Sequence, residues 1–398
     1  MSHLWAAQRS FPPSYLPQGN GAHYSKFDGL THSHFANPAS LIPQGIDVQP
    51  CRSSSSLDDE PAGLQPEGAD IGHHGGSQDD LPVGGKPVNS FLQAGGHQNA
   101  VKLYQNDPTK IIKDTYMREV LFYQKLAHKL DNTLAIPWGG WKPYYYGWEE
   151  LSGTKNNGEL ARIILENLTP GTSSTEYDPH SNYFWHPNVL DIKLGKQLVS
   201  ETADPVKKAR KEAMSRKTTS GTFGMRLTGA AIWDNQNLGY IKKDKKYGQD
   251  ARVDGSDLEE IFNTQFPIHH RRRKNVVRST LTYSSGGLSP RMMQMVLNSL
   301  IPQVEKLLKH VSEFKWSSPA TSVLIIYEGD ARRLKKVIQS TNQILPKISD
   351  VRLIDFAYAT EATKVDEGLV FGLKNTLGHL EKLRRNIEEL HLPKNSLR

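Results

Sequence analysis

Two stretches of the chain place carboxylates inside apolar runs, where an unpaired charge is costly. In Phe184–Lys196 (FWHPNVLDIKLGK), Asp191 and Lys193 sit two residues apart between Pro187 and Gly195. On a strand, alternation puts Leu190, Ile192 and Leu194 on one face and both charges on the other, about 6.5 Å apart. Such a pair suits a site that binds or moves a charged group. By spacing alone, a strand with one solvated face is the simpler account. In Arg352–Ala357 (RLIDFA), Asp355 interrupts an apolar strand. It must be paired or hold a metal there, unless it caps a turn. Lys113 closes the run Ile111-Ile112-Lys113, and Glu119 follows on a helix. A lysine at a strand end can reach nucleotide phosphates with a helix glutamate holding it, and a surface lysine and glutamate fit the same pattern. Together these residues supply what phosphoryl transfer needs: positioning, metal on the phosphates and cations against the transferring group.

Absent motifs narrow the choice. There is no G-x-x-x-x-G-K-[ST] phosphate loop, which sets P-loop enzymes aside. There is no G-x-G-x-x-G followed by H-R-D and D-F-G, the set of ordinary protein kinases. Gly95-Gly96 is only a weak glycine signal.

The chain has 398 residues, enough for two domains or two lobes and a tail. With 37 % apolar and 23 % charged residues and a mean hydropathy of −0.57, part of the chain is expected outside any core. Lys and Arg number 49 against 42 acids, a net charge of +7 and an isoelectric point near 9.1. This balance suits a polyanionic partner: phosphorylated small molecules, nucleic acid or an acidic membrane surface. Cys51 is the sole cysteine, so neither an intrachain disulfide nor a cysteine zinc site is available. A reducing compartment, nucleus or cytoplasm, is expected. No apolar run approaches a membrane span, and Met1–Ser10 lacks the order of a secretory signal.

The elements that must position the charged residues are legible in outline. Residues 1–88 are rich in Gly, Pro, Ser, His and Gln and are expected to form a disordered arm. Phe91–Tyr104 reads as a strand, Asn106-Asp107-Pro108 as a turn and Thr109–Lys113 as a second strand. Val120, Tyr123, Ala127 and Leu130 recur at helical spacing within Tyr116–Leu130. Leu160–Leu165 is an apolar strand ending at Glu166-Asn167-Leu168, and residues 169–186 form a polar, turn-rich insertion. Pro205–Lys217 is a basic helix and Met225–Trp233 a strand. Further basic stretches cover Tyr240–Val253 and His269–Arg278, with the run Arg271-Arg272-Arg273-Lys274. Pro290–Val311, Asp330–Gln343 and Phe371–Leu390 read as helices; Ser322–Tyr327 and Val351–Ala357 read as strands. The order is α+β.

Pro187, Asp191, Lys193 and Gly195 match P-x-x-x-D-x-K-x-G, and the chain thereby resembles the inositol polyphosphate kinase family. The resemblance extends through Ile111–Tyr123 (IIK…REVLFY), Gly221–Gly229 (GTFGMRLTG), Thr321–Leu324 (TSVL), Ile354–Phe356 (IDF) and Asp366–Leu373 (DEGLVFGL). It covers about residues 93–390 and is most like the family's multikinase branch, with the hexakisphosphate kinase branch as runner-up. It implies a two-lobed, kinase-like α+β fold with mixed or antiparallel sheets. A small lobe would span 89–168 and end at a hinge, and a large lobe would span 169–398. The implied activity is ATP-dependent phosphorylation of hydroxyls on inositol tris- or tetrakisphosphate, with Mg2+. Asp191 and Lys193 would be catalytic. Lys113, Glu119, Glu166, Leu168, Asp191, Ser322 and Asp355 would hold the nucleotide, with Asp355 and Ser322 at the metal. Lys193, Lys207, Lys208, Lys211 and Arg216 would bind the inositol phosphate, within a segment of about 196–230. Beyond these substrates, nuclear regulatory proteins are conceivable partners and nucleic acid is not required. A non-catalytic nuclear scaffold binding polyanions is the reading of a different class.

Overall fold

The computed structural model describes residues 92–95, 101–105, 107–133, 140–155, 158–170, 183–269, 281–340 and 346–390, all within the unit Asp59–Arg398. The expected arm, Cys51, the Arg271–Lys274 run and most of the 169–186 insertion lie outside them.

The small lobe is a four-stranded antiparallel sheet in the order β1-β2-β4-β3: β1 (Val101–Tyr104), β2 (Asp107–Tyr116), β3 (Tyr145–Lys155) and β4 (Gly158–Glu166). Between β2 and β3 runs a helix: α1 (Met117–Leu121), a π-helical stretch Phe122–Ala127, then α2 (His128–Thr133). It buries Val120, Phe122, Tyr123, Leu126, Ala127 and Leu130, the spacing of one inward face.

The large lobe is built on a five-stranded antiparallel sheet in the order β10-β9-β5-β6-β7. Its strands are β5 (Pro187–Leu194), β6 (Met225–Asp234), β7 (Gly239–Lys243), β9 (Ser322–Glu328) and β10 (Ser349–Ile354). Two short strands, β8 (Trp316–Ser317) and β11 (Thr360–Glu361), pair beside it. Between β5 and β6 come α3 (Pro205–Arg216) and α4 (Thr219–Phe223); α5 (Lys245–Gln249) and α6 (Leu258–Asn263) follow β7. Helix α7 (Pro290–Val311) starts cleanly because Ser289 caps it and Pro290 occupies its first position. It packs Met293, Val296, Leu297, Leu300, Val304 and Leu307 into the core on a three-four spacing. Helices α8 (Ala331–Gln339) and α9 (Glu367–Glu389) complete the lobe.

The central strand β5 is covered on both faces. Leu190, Ile192 and Leu194 enter the main core, while Val189 joins a second cluster with Leu168, Phe184 and Ile326. The two lobes share an aromatic floor. Phe356, fully buried, stacks on Phe122 of the small lobe at 4.1 Å between ring centroids and 14° between planes. Trp141 meets the same pair edge-on and Trp316 meets it stacked on Phe122 and tilted to Phe356, all at 5.8–6.2 Å.

Three sequence readings are corrected here. The Phe91–Tyr104 strand reduces to Val101–Tyr104, with Leu92–Gly95 extended across the cleft outside any strand. The edge strand β3 was not anticipated, because Gly147, Gly153 and a bulge between Tyr145 and Gly147 break its alternation. Asp355 lies past the end of β10, not inside a strand, in the left-handed region at φ 67°. Aspartate is among the few residues that tolerate that conformation.

Phe356→Ala should lower the unfolding free energy by about 3–5 kcal/mol in urea titration, the range for a deleted core phenylalanine, and Phe356→Leu distinctly less. A loss no larger than that of a surface substitution would remove the shared floor from the account.

Candidate active site

Sheet register builds the site. Lys193 on β5 pairs across to Arg226 on β6 and to Ser322 on β9, and Ser322 pairs in turn with Ile354 on β10. Directly opposed residues share a face about 4.8 Å apart. One row across four strands therefore carries Arg226, Lys193, Ser322 and Ile354, with Asp355 just beyond. Asp191 stands two residues along β5, opposite Gly229 and Leu324, on the same face. A bulge at Asp191/Ile192 skips Thr228, whose hydroxyl donates to the backbone oxygen of Asp191 at 3.0 Å. The expected alternation holds, but the Asp191 face is a buried one and not a solvated one.

The charges converge on Asp355. Lys113 Nζ donates to Asp355 Oδ1 at 2.8 Å and to Glu119 Oε1 at 3.0 Å. Lys193 Nζ lies 3.8 Å from Asp355 Oδ2 and donates to Ala320 O at 2.9 Å. Glu119, fully buried, accepts from Thr115 Oγ1 and, at 3.1 Å, from the Phe356 amide. Burial works against the ammonium of Lys113, but Asp355 and Glu119 outweigh it and hold it above the usual lysine range. Burial also opposes ionisation of Asp355, yet Lys113 and Lys193 bring its carboxyl down to about 2. Asp191 shifts the other way. Burial, then the Asp355 charge, raise it, and Lys193 only partly offsets them. Two carboxylates facing one cleft thus have affinities for protons pushed apart, a pattern associated with divided roles.

The same sheet face is apolar at its other end. Val189, Leu324 and Ile326 meet Leu168, Leu92 and Ala94 there, and Ile354 packs against them from the end of the charged row. Leu168, expected among the residues that hold the nucleotide, is a buried member of this cluster. At the strand end that precedes it, the Glu166 amide donates to Tyr144 O and the Asn167 amide to Thr109 O, both at 2.8 Å. The Glu166 carboxylate accepts from the Tyr144 amide at 3.0 Å, so it fixes the end of β3. Leu92–Gly95 crosses β6 at Gly229: a Cβ on Gly229 would stand 2.0 Å from Ala94 O, and one on Gly95 would stand 3.1 Å from Asp191 Oδ2.

Helix α3 carries the expected substrate cations. Asp204 caps it by accepting from the Val206 and Lys207 amides, and Ser215 ties its end to Lys196 O at 2.6 Å. Lys207, Lys208 and Lys211 lie half-buried on its inner side. Arg216 does not join them: it is exposed and faces Glu212 at 4.0 Å. Sequence reasoning missed Arg226. It is buried beside Lys193, donates to Thr218 Oγ1 at 3.3 Å and leaves Nε without a partner. An arginine inside the apolar run Met225-Arg226-Leu227 is the same signal that drew attention to Asp191. Asp191 Oδ1 and Ser322 Oγ are likewise buried and without hydrogen-bond partners among the described residues.

This geometry can be compared with known proteins. The family model of inositol polyphosphate kinases matches residues 180–381. The inositol polyphosphate multikinase of Schizosaccharomyces pombe is 29 % identical over 304 residues, covering 74 % of this chain and 97 % of the relative. The multikinase of Saccharomyces cerevisiae is 26 % identical, covering 61 % and 72 %. Inositol hexakisphosphate kinase 3 of Mus musculus is 28 % identical, covering 50 % of this chain and 48 % of its own length. The crystal structure of an inositol phosphate multikinase from S. cerevisiae, in complex with ADP and Mn2+, superposes with a TM-score of 0.51 at 24 % identity, covering 69 % of this chain and 99 % of that one. The family model spans just over half of the 398 residues and includes the Asp191–Lys193 strand, Ser322 and Asp355, and the chain belongs to the inositol polyphosphate kinase family.

Proposed function

We propose that this kinase moves the γ-phosphoryl of ATP onto a hydroxyl of an inositol tris- or tetrakisphosphate, as a multikinase. The observation that carries the reading is the sequence of environments along one face of β5. Val189 lies in the apolar cluster, Asp191 follows, and Lys193 stands in the charged row. Two-residue steps of about 6.5 Å match base, sugar and phosphates laid along the strand. The apolar end, bounded by Leu168, Leu324 and Ile354, suits an adenine ring, with backbone at Glu166–Leu168 to pair with its edge. Asp191 Oδ1 is free to accept from a ribose hydroxyl or from the accepting hydroxyl. Lys113 binds phosphate oxygens once nucleotide competes for it with Asp355. Lys193 and Arg226 supply positive charge where the phosphoryl group passes to the acceptor. Lys207, Lys208 and Lys211 hold the remaining phosphates of the inositol ring.

A divalent ion fits the cleft. No cage of three or more His, Cys, Asp or Glu occurs among the described residues, but kinase Mg2+ sites use one or two carboxylates and complete the shell with phosphate oxygens and water. Asp355, ionised down to about pH 2, and the unpartnered Ser322 Oγ provide such a half-shell. When bound, the metal neutralises charge on the phosphates. The S. cerevisiae multikinase was solved with Mn2+; we take Mg2+ as the working ion. The length match favours a multikinase over a hexakisphosphate kinase, since the chain spans 97 % of one multikinase and 48 % of the hexakisphosphate kinase.

Incubation with labelled ATP, Mg2+ and a panel of inositol phosphates tests the reading. Product from the trisphosphate is expected. Product from the hexakisphosphate alone would select the other branch, and none from any member would leave a polyanion-binding scaffold. Lys193→Met should reduce kcat by about 10²-fold or more, the loss seen when a transition-state donor is removed.

The raised Asp191 has a stability signature. The unfolded chain ionises this group near 3.8, below its native value. Native stability is therefore lost as pH rises from about 3.8 through the raised native value, and the loss is complete above it. Asp191→Asn, without nucleotide or metal, should melt on the order of 2 °C higher than wild type at pH 7.5. The difference should shrink toward pH 4. A variant that melts lower at pH 7.5 would contradict the raised value.

A further inference from the structure

Four non-glycine residues among the described ones sit in the left-handed region, and two of them adjoin the charged row. Ala320, at φ 63°, precedes β9, and Asp355, at φ 67°, follows β10. Such a backbone is costly for alanine and persists only where its surroundings dictate it. Both residues present an oxygen to Lys193. The Ala320 carbonyl accepts from Nζ at 2.9 Å, and Asp355 Oδ2 stands 3.8 Å from it. The ammonium is thus located by two separate turns, and its position depends on how those turns are held together.

Thr321 joins them. It is fully buried, and its hydroxyl donates to the Asp355 backbone oxygen at 3.3 Å. That bond uses the hydroxyl's single proton, so Ser318 Oγ, also buried, is the donor to Thr321 Oγ1. Ser318 is tied in turn to a long helix. Its amide donates to Asp366 Oδ2 at 3.0 Å, while Asp366 Oδ1 caps α9 by accepting from the Leu369 amide. The Thr321 carbonyl accepts from the amide of Leu194, the neighbour of Lys193 on β5, at 2.9 Å. An unbroken chain of hydrogen bonds therefore runs from the cap of α9 to the backbone of Asp355.

We propose that Thr321 is a positioning residue for phosphoryl transfer. Its hydroxyl, with Ser318 behind it, braces the Ala320 and Asp355 turns against each other, so that carbonyl and carboxylate keep Lys193 aimed at the transferring group. The proposal rests on the kinase reading above and adds to it a residue that acts only through Lys193 and Asp355.

The test compares Thr321→Val, Thr321→Ser, Ser318→Ala, the double variant Thr321→Val/Ser318→Ala and Thr376→Val. Steady-state kinetics with Mg2+, ATP and inositol trisphosphate are read beside thermal melting. Thr376, fully buried on α9 with its hydroxyl on Gly372 O, controls for the loss of a buried hydroxyl away from the cleft. Thr321→Val should lower kcat about tenfold, the lower end of the range for groups that orient an active side chain. Both KM values should stay within about twofold, because the loss falls on the transition state. Thr321→Ser keeps the hydroxyl and should stay within about twofold of the wild-type kcat. The double variant should fall no further than Thr321→Val, since both residues serve one chain. Thr376→Val should melt lower and keep its kcat. Should Thr321→Val not fold, Ser318→Ala carries the same comparison, with a loss of about threefold expected. A folded Thr321→Val (or, in its place, Ser318→Ala) that turns over like wild type overturns the brace. So does a Thr321→Ser no better than Thr321→Val, or an equal loss of kcat in Thr376→Val. Each of these leaves the kinase reading intact. Wild-type protein that transfers phosphate to no inositol phosphate overturns both.

Discussion

Lys113 is clamped between carboxylates of two lobes, and the rest of the cleft is organised around that clamp. Glu119 comes from the small-lobe helix and Asp355 from the loop after β10, at 3.0 and 2.8 Å. Glu119, fully buried, has its carboxylate oxygens occupied by Lys113, the Thr115 hydroxyl and the Phe356 amide. Removing Lys113 leaves Glu119 and Asp355 facing one another without that shared cation, so the lobes are locked by electrostatics as well as by the Phe122–Phe356 stack beneath. The left-handed backbone at Asp355 belongs to the same device. It turns the chain so that the carboxylate faces the lysines while Phe356 faces the aromatic floor.

The second organising constraint is strand register. A strand places every other residue on one face, and neighbouring strands align those residues into rows. The row Arg226–Lys193–Ser322–Ile354 is that rule applied to four strands of separate sequence position. It explains how a site can be assembled from residues more than a hundred positions apart without a glycine-rich phosphate loop. It also explains the divergence of Asp191 and Asp355. The first is walled in by β6, β9 and the Leu92–Gly95 segment, while the second lies on the open side among lysines.

What the sequence disclosed follows from the same physics. Asp191 and Lys193 were legible because a period of two is simple and the surrounding residues are all apolar. Lys113 and Glu119 were legible only as candidates, since the Ile111-Ile112-Lys113 pattern fits a surface strand equally well until the Asp355 contact is seen. Asp355 was placed in a strand because Ile354 and Phe356 are apolar on either side; a left-handed turn leaves no periodic trace at aspartate. Leu168 was legible only as a residue beside the nucleotide; its contacts with Phe184 and Ile326 depend on long-range packing that no local window contains. Arg216 was grouped with its helix neighbours although helical geometry turns it away from Lys207 and Lys211.

The ion pairs already present in the cleft make its two ligands unequal toward dissolved salt. On the proposed reading, a nucleotide meets cations that Asp355 has partly neutralised, so its entry swaps one internal partner for another and disturbs few mobile counter-ions. On the same reading, an acceptor approaching α3 meets Lys207 and Lys208, which form no ion pair among the described residues. Its attraction is a field felt through water, which fades over a Debye length of about 8 Å at 0.15 M ionic strength. Rising ionic strength therefore weakens capture of the sugar phosphate more steeply than capture of the nucleotide, and the order in which the two substrates fill the enzyme depends on the salinity around it.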